Sequence, residues 1–358
     1  MIERFKSLFG RNPVAAPAEP TGETILFNAY CTRREIAQPS FAHKLHMRRD
    51  LSDPALLEHL GGLCGYVQSR GDGKISLEKY HVILHVQRVQ HHLSISVGVG
   101  DVDAFHAWAQ QANAVLYTAK GDVTDPQGRI LVSAADGAAD SPAQVPYPEQ
   151  AKHRKAATEA SLAVRGITVP PTLPPLVCED ELSLRGRDEV IERARALLLV
   201  ALRAESVASG EAMAVEALLS KMPLADDALS PRELAFLELA APSQQDCAPF
   251  IWRYEALLVL EWALGLADAL PYPDAPADAA PIVATLIEMR GPQLRPAGEI
   301  LDALDLTYRL NWHVRQTRLK KQGELVGVDA DVVMERHHTL NWLVRFQHTP
   351  WDEVDTPT

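Results

Sequence analysis

Residues 335–345 read ERHHTLNWLVR, which places a carboxylate, two histidines, an asparagine and two arginines within eleven positions. Thirty residues earlier, YRLNWHVR (308–315) carries the same Leu-Asn-Trp-x-Val-Arg string. Two kinds of chemistry are available to such a set. Glu335 lies one helical turn from His338, a spacing at which a carboxylate and an imidazole share proton-transfer work. Arg315 and Arg345 are planar, permanently charged forks suited to an anion. Adjacent His337 and His338 point about 100° apart on a helix, so they cannot chelate one metal ion together. A second polar set, Arg253, Glu255 and Glu261, sits inside the apolar run FIWRYEALLVLEWALGL (250–266).

Helical periodicity shows what must position these groups. On the helix containing 301–318, Asp302, Asp305, Arg309, His313 and Gln316 fall on one arc, read as the solvent face. Asn311 and Arg315 fall instead in the stripe of Leu301, Leu304, Tyr308 and Trp312. In the second copy, Asn341 and Arg345 share a stripe with Met334, His338 and Trp342. A guanidinium pointing into packing needs a carboxylate or several carbonyls. The run 250–266 is apolar all round and therefore central, so Glu255 or Glu261 is expected to meet Arg315 or Arg345. Asn311 and Asn341 are expected to bond helix backbone or each other, with Trp252, Trp262, Trp312 and Trp342 around them. The first reading of this cluster, with Arg336 and His337 included, is a buried polar network that fixes helix docking. The alternative is a hydrolase or transferase cleft for an anionic small molecule, lined by Arg315, Arg345, Glu255, Glu335 and His338.

The elements before this region belong to another class. ILFNAYC (25–31), VILHV (82–86) and LSISVGV (93–99) read as strands, the last two by alternation. DPALLEHLGGLCGYVQ (53–68) and DVDAFHAWAQQANA (101–114) read as helices, and VLYTA and RILVS flank the turn signal DPQG (125–128). That order predicts an antiparallel sheet with two helices on one face, a ferredoxin-like or related α+β layer. The Ala-, Pro- and Asp-rich 134–150 reads as linker, and helical segments dominate after it, one opening at the capping box Ser230-Pro231-Arg232-Glu233. The expected organisation is an arm at 1–22, an α+β domain at 23–133, a linker at 134–155 and a mostly α-helical domain at 156–358.

Other motifs fail on inspection. SRGDGKIS (69–76) has Gly73-Lys74 but Gln68 where a phosphate loop needs glycine and Ile75 where it needs Ser or Thr. GVGDVD (98–103) puts Asp103 at the third glycine position of a dinucleotide fingerprint. His81 and His85, taken on a strand, stand roughly 13 Å apart, too far for one metal, and with His91 and His92 read as solvated sheet-face residues. No cofactor and no metal are expected.

Charge narrows the partners. The net charge is −12; residues 1–150 carry 14 Lys and Arg against 16 Asp and Glu, and residues 151–358 carry 21 against 31. An acidic surface repels phosphate backbones, which argues against nucleic acid and suits a basic protein partner. Cys31, Cys64, Cys178 and Cys247 show no paired spacing, as in reduced cytoplasmic proteins. The start, MIERFKSLFGR, offers a short apolar side but no signal-peptide core, and the run 250–266 is too charged to span a membrane. Homodimerisation through exposed helices stays open. Trp351, close to the last residue, is expected to fold back onto the helical domain.

Several strings carry a family resemblance: TVPPTLPPL (168–176), RDEVIERARALLLVALRA, SPRELAFLELAAP, WRYEALLVLEWALGLADALPYPD, ILDALDLTYRLNWHVRQ, ERHHTLNWL and the closing WDEVDTPT. Over residues 157–358 the chain resembles the bacterial family called domain of unknown function 4272. Trp252, Arg253, Tyr254, Glu255, Glu335, Arg336, His337, Asn341, Trp342, Trp351 and Asp352 match its pattern. The pattern's closing Thr-Asp-Thr is Thr356-Pro357-Thr358 here. The resemblance implies an all-helical domain and brings no activity, cofactor or catalytic residue with it. Together these readings point to a non-enzymatic, cytoplasmic protein-interaction protein of the adaptor or immunity type, with the hydrolase or transferase as its rival.

Overall fold

A computed structural model describes residues 18–222, 228–320 and 327–358. The chain forms two compact units, Met1–Pro146 and Tyr147–Thr358. The expected short helix at the start of the arm lies outside the described residues.

The first unit is built on one antiparallel sheet in the order β2-β3-β1-β4-β5-β6. Its strands are β1 (Thr24–Cys31), β2 (His43–Asp50), β3 (His91–Gly98), β4 (Ala114–Thr118), β5 (Val123–Thr124) and β6 (Ile130–Val132). β1 lies inside the sheet between β3 and β4, and the side chains of its second half are covered on both faces. Phe27, Ala29 and Cys31 join Leu93, Ile95 and Val97 under Phe105 and Trp108 of α3 (Val102–Gln111). Tyr30 points the other way, toward α1 (Ala55–Ser69), where its hydroxyl bonds His59. Helices therefore cover both faces, where two on one face were expected.

α2 (Leu77–Val86) corrects the reading of 82–86 as a strand. The apparent alternation of Val82, Leu84 and Val86 is overruled by three- and four-residue spacing of its buried positions, Lys79, Val82, His85 and Val86. Ser76 caps its start by accepting from the Lys79 backbone N–H. His85 is consequently not a solvated sheet residue: it is fully buried and its Nε2 meets the Tyr30 carbonyl at 3.0 Å. His92, on β3, is likewise buried. The polar HKLHMRRD (43–50) carries no strand pattern, yet forms edge strand β2.

Residues 134–146, expected as linker, belong to the sheet unit. The Ser133 N–H donates to the Ala138 carbonyl at 2.9 Å and the Asp140 N–H to the Ile130 carbonyl at 2.8 Å. Their Ala, Asp and Gly content supplies turns rather than slack; Gly71, at φ +62°, lies so close that a Cβ there would come within 2.3 Å of the Asp136 oxygen.

The second unit is helical, as expected. It comprises α4 (Glu149–Val164), α5 (Arg187–Ala208), α6 (Val215–Lys221), α7 (Pro231–Leu237), α8 (Gln244–Ile251), α9 (Arg253–Ala263), α10 (Ala279–Glu288), α11 (Ala297–Lys320) and α12 (Ala330–Leu343), with single 3-10 turns at 346–348 and 351–353. Both halves of the Ser230 capping box form at the start of α7. The run 250–266 is two helices, since α8 contains Pro249 and ends where Trp252 starts α9. α9 is buried along most of its length and packs with α5, α11 and α12 side chains in one core. The supposed solvent arc of α11 is corrected at its centre: Asp305 and Arg309 are fully buried. Arg309 is held there bidentately by Asp305 at 2.8 and 2.9 Å, with Glu159 of α4 at 3.3 Å.

Candidate functional site

Of the repeated polar residues the two asparagines turn inward and the two arginines do not, and the buried carboxylates meet other arginines. Glu255, 2% exposed, meets Arg336 at 2.9 Å and also accepts the Ala277 N–H, while Arg336 donates onward to the Pro271 carbonyl. Arg253 pairs with Glu335. Arg315 is exposed and reaches the hydroxyls of Thr356 and Thr358 at 3.4 and 3.3 Å. Arg345 lies past the end of α12, at φ 54°, and pairs with Glu189 of α5 at 2.7 Å. Wheel geometry could not place Arg345, because the helix stops before it. Glu261 is buried and meets a hydroxyl instead of an arginine; burial pushes its carboxyl up, opposed by a hydrogen bond with Thr285.

The two asparagines of the repeat share one task. Asn311 donates to the Thr356 carbonyl at 3.2 Å and meets His337 Nδ1 at 2.9 Å; Asn341 donates to the Asp355 carbonyl at 2.8 Å. They do not bond each other. Both clamp the closing segment WDEVDTPT onto α11 and α12, so the duplicated string is two hooks for one strand of chain.

Trp351 is the anchor of that segment. It is 4% exposed, as expected for an aromatic near a chain end, and its ring is boxed by His338 at 4.5 Å and Trp342 at 5.5 Å, both edge-on. The guanidinium of Arg193 lies 4.8 Å from the ring centre, and that of Arg253 lies 5.7 Å away. Asp352 accepts the Arg232 backbone N–H at 3.0 Å, tying the segment to the start of α7. Trp351 therefore gathers WRYEAL, ERHHTLNWL and WDEV into one place. A cavity of about 540 Å³ opens beside it, lined among others by Arg185, Arg193, Ser230, Trp342 and Asp352.

Burial is the largest influence on the titratable groups here. His338 Nε2 meets the Trp351 carbonyl at 2.9 Å, which fixes that nitrogen as the protonated one. Burial, aided by Arg253 and Arg193, pushes His338 down to about 4. A base that weak is poorly matched to neutral pH. Burial raises the Glu335 carboxyl, Glu255 adds to this, and Arg253 opposes it. His337 is pushed down to about 3, chiefly by burial. Of the three arginines that line the cavity, Arg185 pairs with Glu189 and Arg193 with Glu233, while Arg232 is exposed. Arg315, Arg345, Glu255, Glu335 and His338 do not line this cavity or the one found in the first unit.

Sequence reasoning missed a second cluster, in the first unit. Tyr30, His59 and His92 stack face to face, and a cavity of about 540 Å³ lies between α1 and the sheet beside them. These residues come from β1, α1 and β3, so no local spacing joins them. Among the described residues no group of three metal-ligating side chains occurs.

A helical domain knit by buried arginine–carboxylate pairs around a folded-back tryptophan is the class of protein that this second unit defines. The family described as Domain of unknown function (DUF4272) matches residues 154–354, and the chain belongs to that family. No curated protein and no solved structure matches the chain. Among the described residues no helix is long and apolar enough to cross a membrane.

Proposed function

We propose that this is a non-enzymatic interaction protein whose docking element is the outer edge of β2, which among the described residues no other strand covers. One observation carries the reading. β2 ends the sheet, and five consecutive side chains, Lys44 to Arg48, are exposed, including Leu45 at 46% and Met47 at 41%. The His43 N–H points outward to the Ala18 carbonyl at 3.1 Å. By strand alternation the Leu45 N–H points to the same open side, where an extended segment adds by backbone pairing.

The partner's chemistry follows from local charge. Lys44 and Arg48 make this edge basic although the whole chain is acidic, so the fitting partner is an extended segment with acidic side chains. This replaces the basic partner suggested by overall charge. Two copies of β2 pairing edge to edge would set like charges opposite each other, which disfavours a homodimer through this strand. The bulge between Leu45 and Met47 and the edge cations hinder indiscriminate pairing, so recognition rests on complementary charge. The four free thiols, three of them buried, support a reducing compartment such as the cytoplasm.

The test is fluorescence anisotropy with a labelled peptide of alternating Glu and Val, compared with its Lys-Val counterpart. Saturable binding of the acidic peptide alone, weakened by salt and lost in Leu45→Pro, supports the reading. Proline is tolerated where the N–H faces outward, so the variant retains the fold while the docking donor is gone. Equal binding of both peptides, or unchanged binding to Leu45→Pro, overturns it.

A further inference from the structure

The cavity between α1 and the sheet has the composition of a small-molecule site. Its floor is Tyr30, 3% exposed, whose hydroxyl meets His59 Nε2 at 3.0 Å. Beneath, His92 stacks 4.8 Å from Tyr30 and 4.4 Å from His59, with its Nε2 held by Asn28 Oδ1 at 3.1 Å. Tyr66 and Tyr117, edge-on at 5.5 Å, form an aromatic wall. On the helix side the wall is cut away at Gly62, where an added Cβ would meet no atom within 4 Å. The opening is a shallow, open slot walled on one side by Tyr66 and Tyr117.

Two charged side chains line it, Arg49 and the more exposed Glu58. Arg49 stands opposite His92 in the strand register, which puts its side chain on the Tyr30 face. Its ion pair with Asp53 is long, 3.5 Å, and partly exposed, so a better-placed carboxylate competes for it. Burial and Arg49 hold His59 below its ordinary value, and burial, His59 and Arg49 push His92 down to about 4. Both imidazoles are thus uncharged at neutral pH. Burial also raises the Tyr30 phenol, which stays protonated and donates. Glu58, at the rim, repels a second negative charge on the ligand.

We propose that this slot binds a small planar carboxylate, its ring seated at the Gly62 gap against the tyrosine wall and its carboxylate on Arg49. The site is distinct from the β2 edge: Arg49 turns to the covered face, while docking uses the outer backbone. The ring gains stacking and edge contacts with Tyr66 and Tyr117, which a saturated ring gains less well. The carboxylate gains a charge-assisted bond that a neutral amide lacks.

The test is ligand-observed NMR titration of the full chain with benzoate, cyclohexanecarboxylate and benzamide. Benzoate is expected to bind saturably, and the other two at least tenfold more weakly. Gly62→Leu fills the slot and Arg49→Gln removes its charge, and each is expected to weaken benzoate at least tenfold. Gly62→Ala controls for the helix. No saturable benzoate binding, equal affinity for the three probes, or unchanged binding in both Gly62→Leu and Arg49→Gln overturns the proposal.

Discussion

The buried pair of Glu255 and Arg336 gives the sharpest stability prediction. The two side chains are 3% and 2% exposed, 2.9 Å apart, and each holds one further backbone group, the Ala277 N–H and the Pro271 carbonyl. Removing one partner strands the other charge in the core, a change that typically costs about 3–5 kcal/mol. Glu255→Gln and Arg336→Met should each lose about that much. For a unit of this size, that corresponds to a Tm drop of roughly 6–20 °C. The double variant leaves no uncompensated charge, so it should lose much less than the sum, with a coupling energy of about 2 kcal/mol or more. Urea unfolding of the full chain, followed by tryptophan fluorescence, measures all three. Single losses within about 1 kcal/mol and strict additivity would mean a solvent-screened surface pair, and would refute the reasoning.

Three further predictions concern other parts of the chain. Trp351→Ala, or deletion of 350–358, should destabilise the helical unit by about 3–5 kcal/mol, read as a lower Tm, because the ring is buried among Arg193, His338 and Trp342; an unchanged Tm would make the segment a free tail. Gly71→Ala should cost about 2 kcal/mol or more, from positive φ plus collision with the Asp136 carbonyl, whereas Gly62→Ala should be neutral or slightly stabilising in a thermal melt. Acid should destabilise the native state early: His337 and His338, ordinarily near 6.5, are held at about 3 and about 4. Their unfolded forms take up protons first, so stability is full above pH 6.5. It falls by about 1.4 kcal/mol per pH unit per histidine as pH drops toward 4. His337→Gln should flatten that slope in pH-dependent melts, and an unchanged slope would contradict the assignment.

How much of this was legible depended on whether the signal was local. β3 alternates because Leu93, Ile95 and Val97 face the core while Ser94 and Ser96 lie on a more open face, and the Ser230 box marks the start of α7 within four residues. α2 was misread because five residues with apolar positions two apart fit either period, and only the burial of Lys79 and His85 separates them. β2 was invisible because an exposed edge strand needs no apolar face. In the helical unit the repeat places its asparagines inward, but its arginines are not buried and the buried carboxylate pairs elsewhere. Glu255 meets an inward arginine five residues before Asn341 on α12, at Arg336, rather than Arg315 or Arg345. Arg309, read as solvent-facing, is buried because α4 folds across α11 and brings Glu159, a contact 150 residues away in sequence. The Tyr30, His59 and His92 stack likewise exists only through tertiary pairing.

The central claim is that partners add to the edge of β2. Amide hydrogen exchange on the full chain, with and without the Glu-Val peptide, tests it most directly. The account predicts slowed exchange confined to the stretch 44–49 and its neighbours in the sheet. Unchanged exchange there, or protection appearing on the helical unit instead, would contradict it.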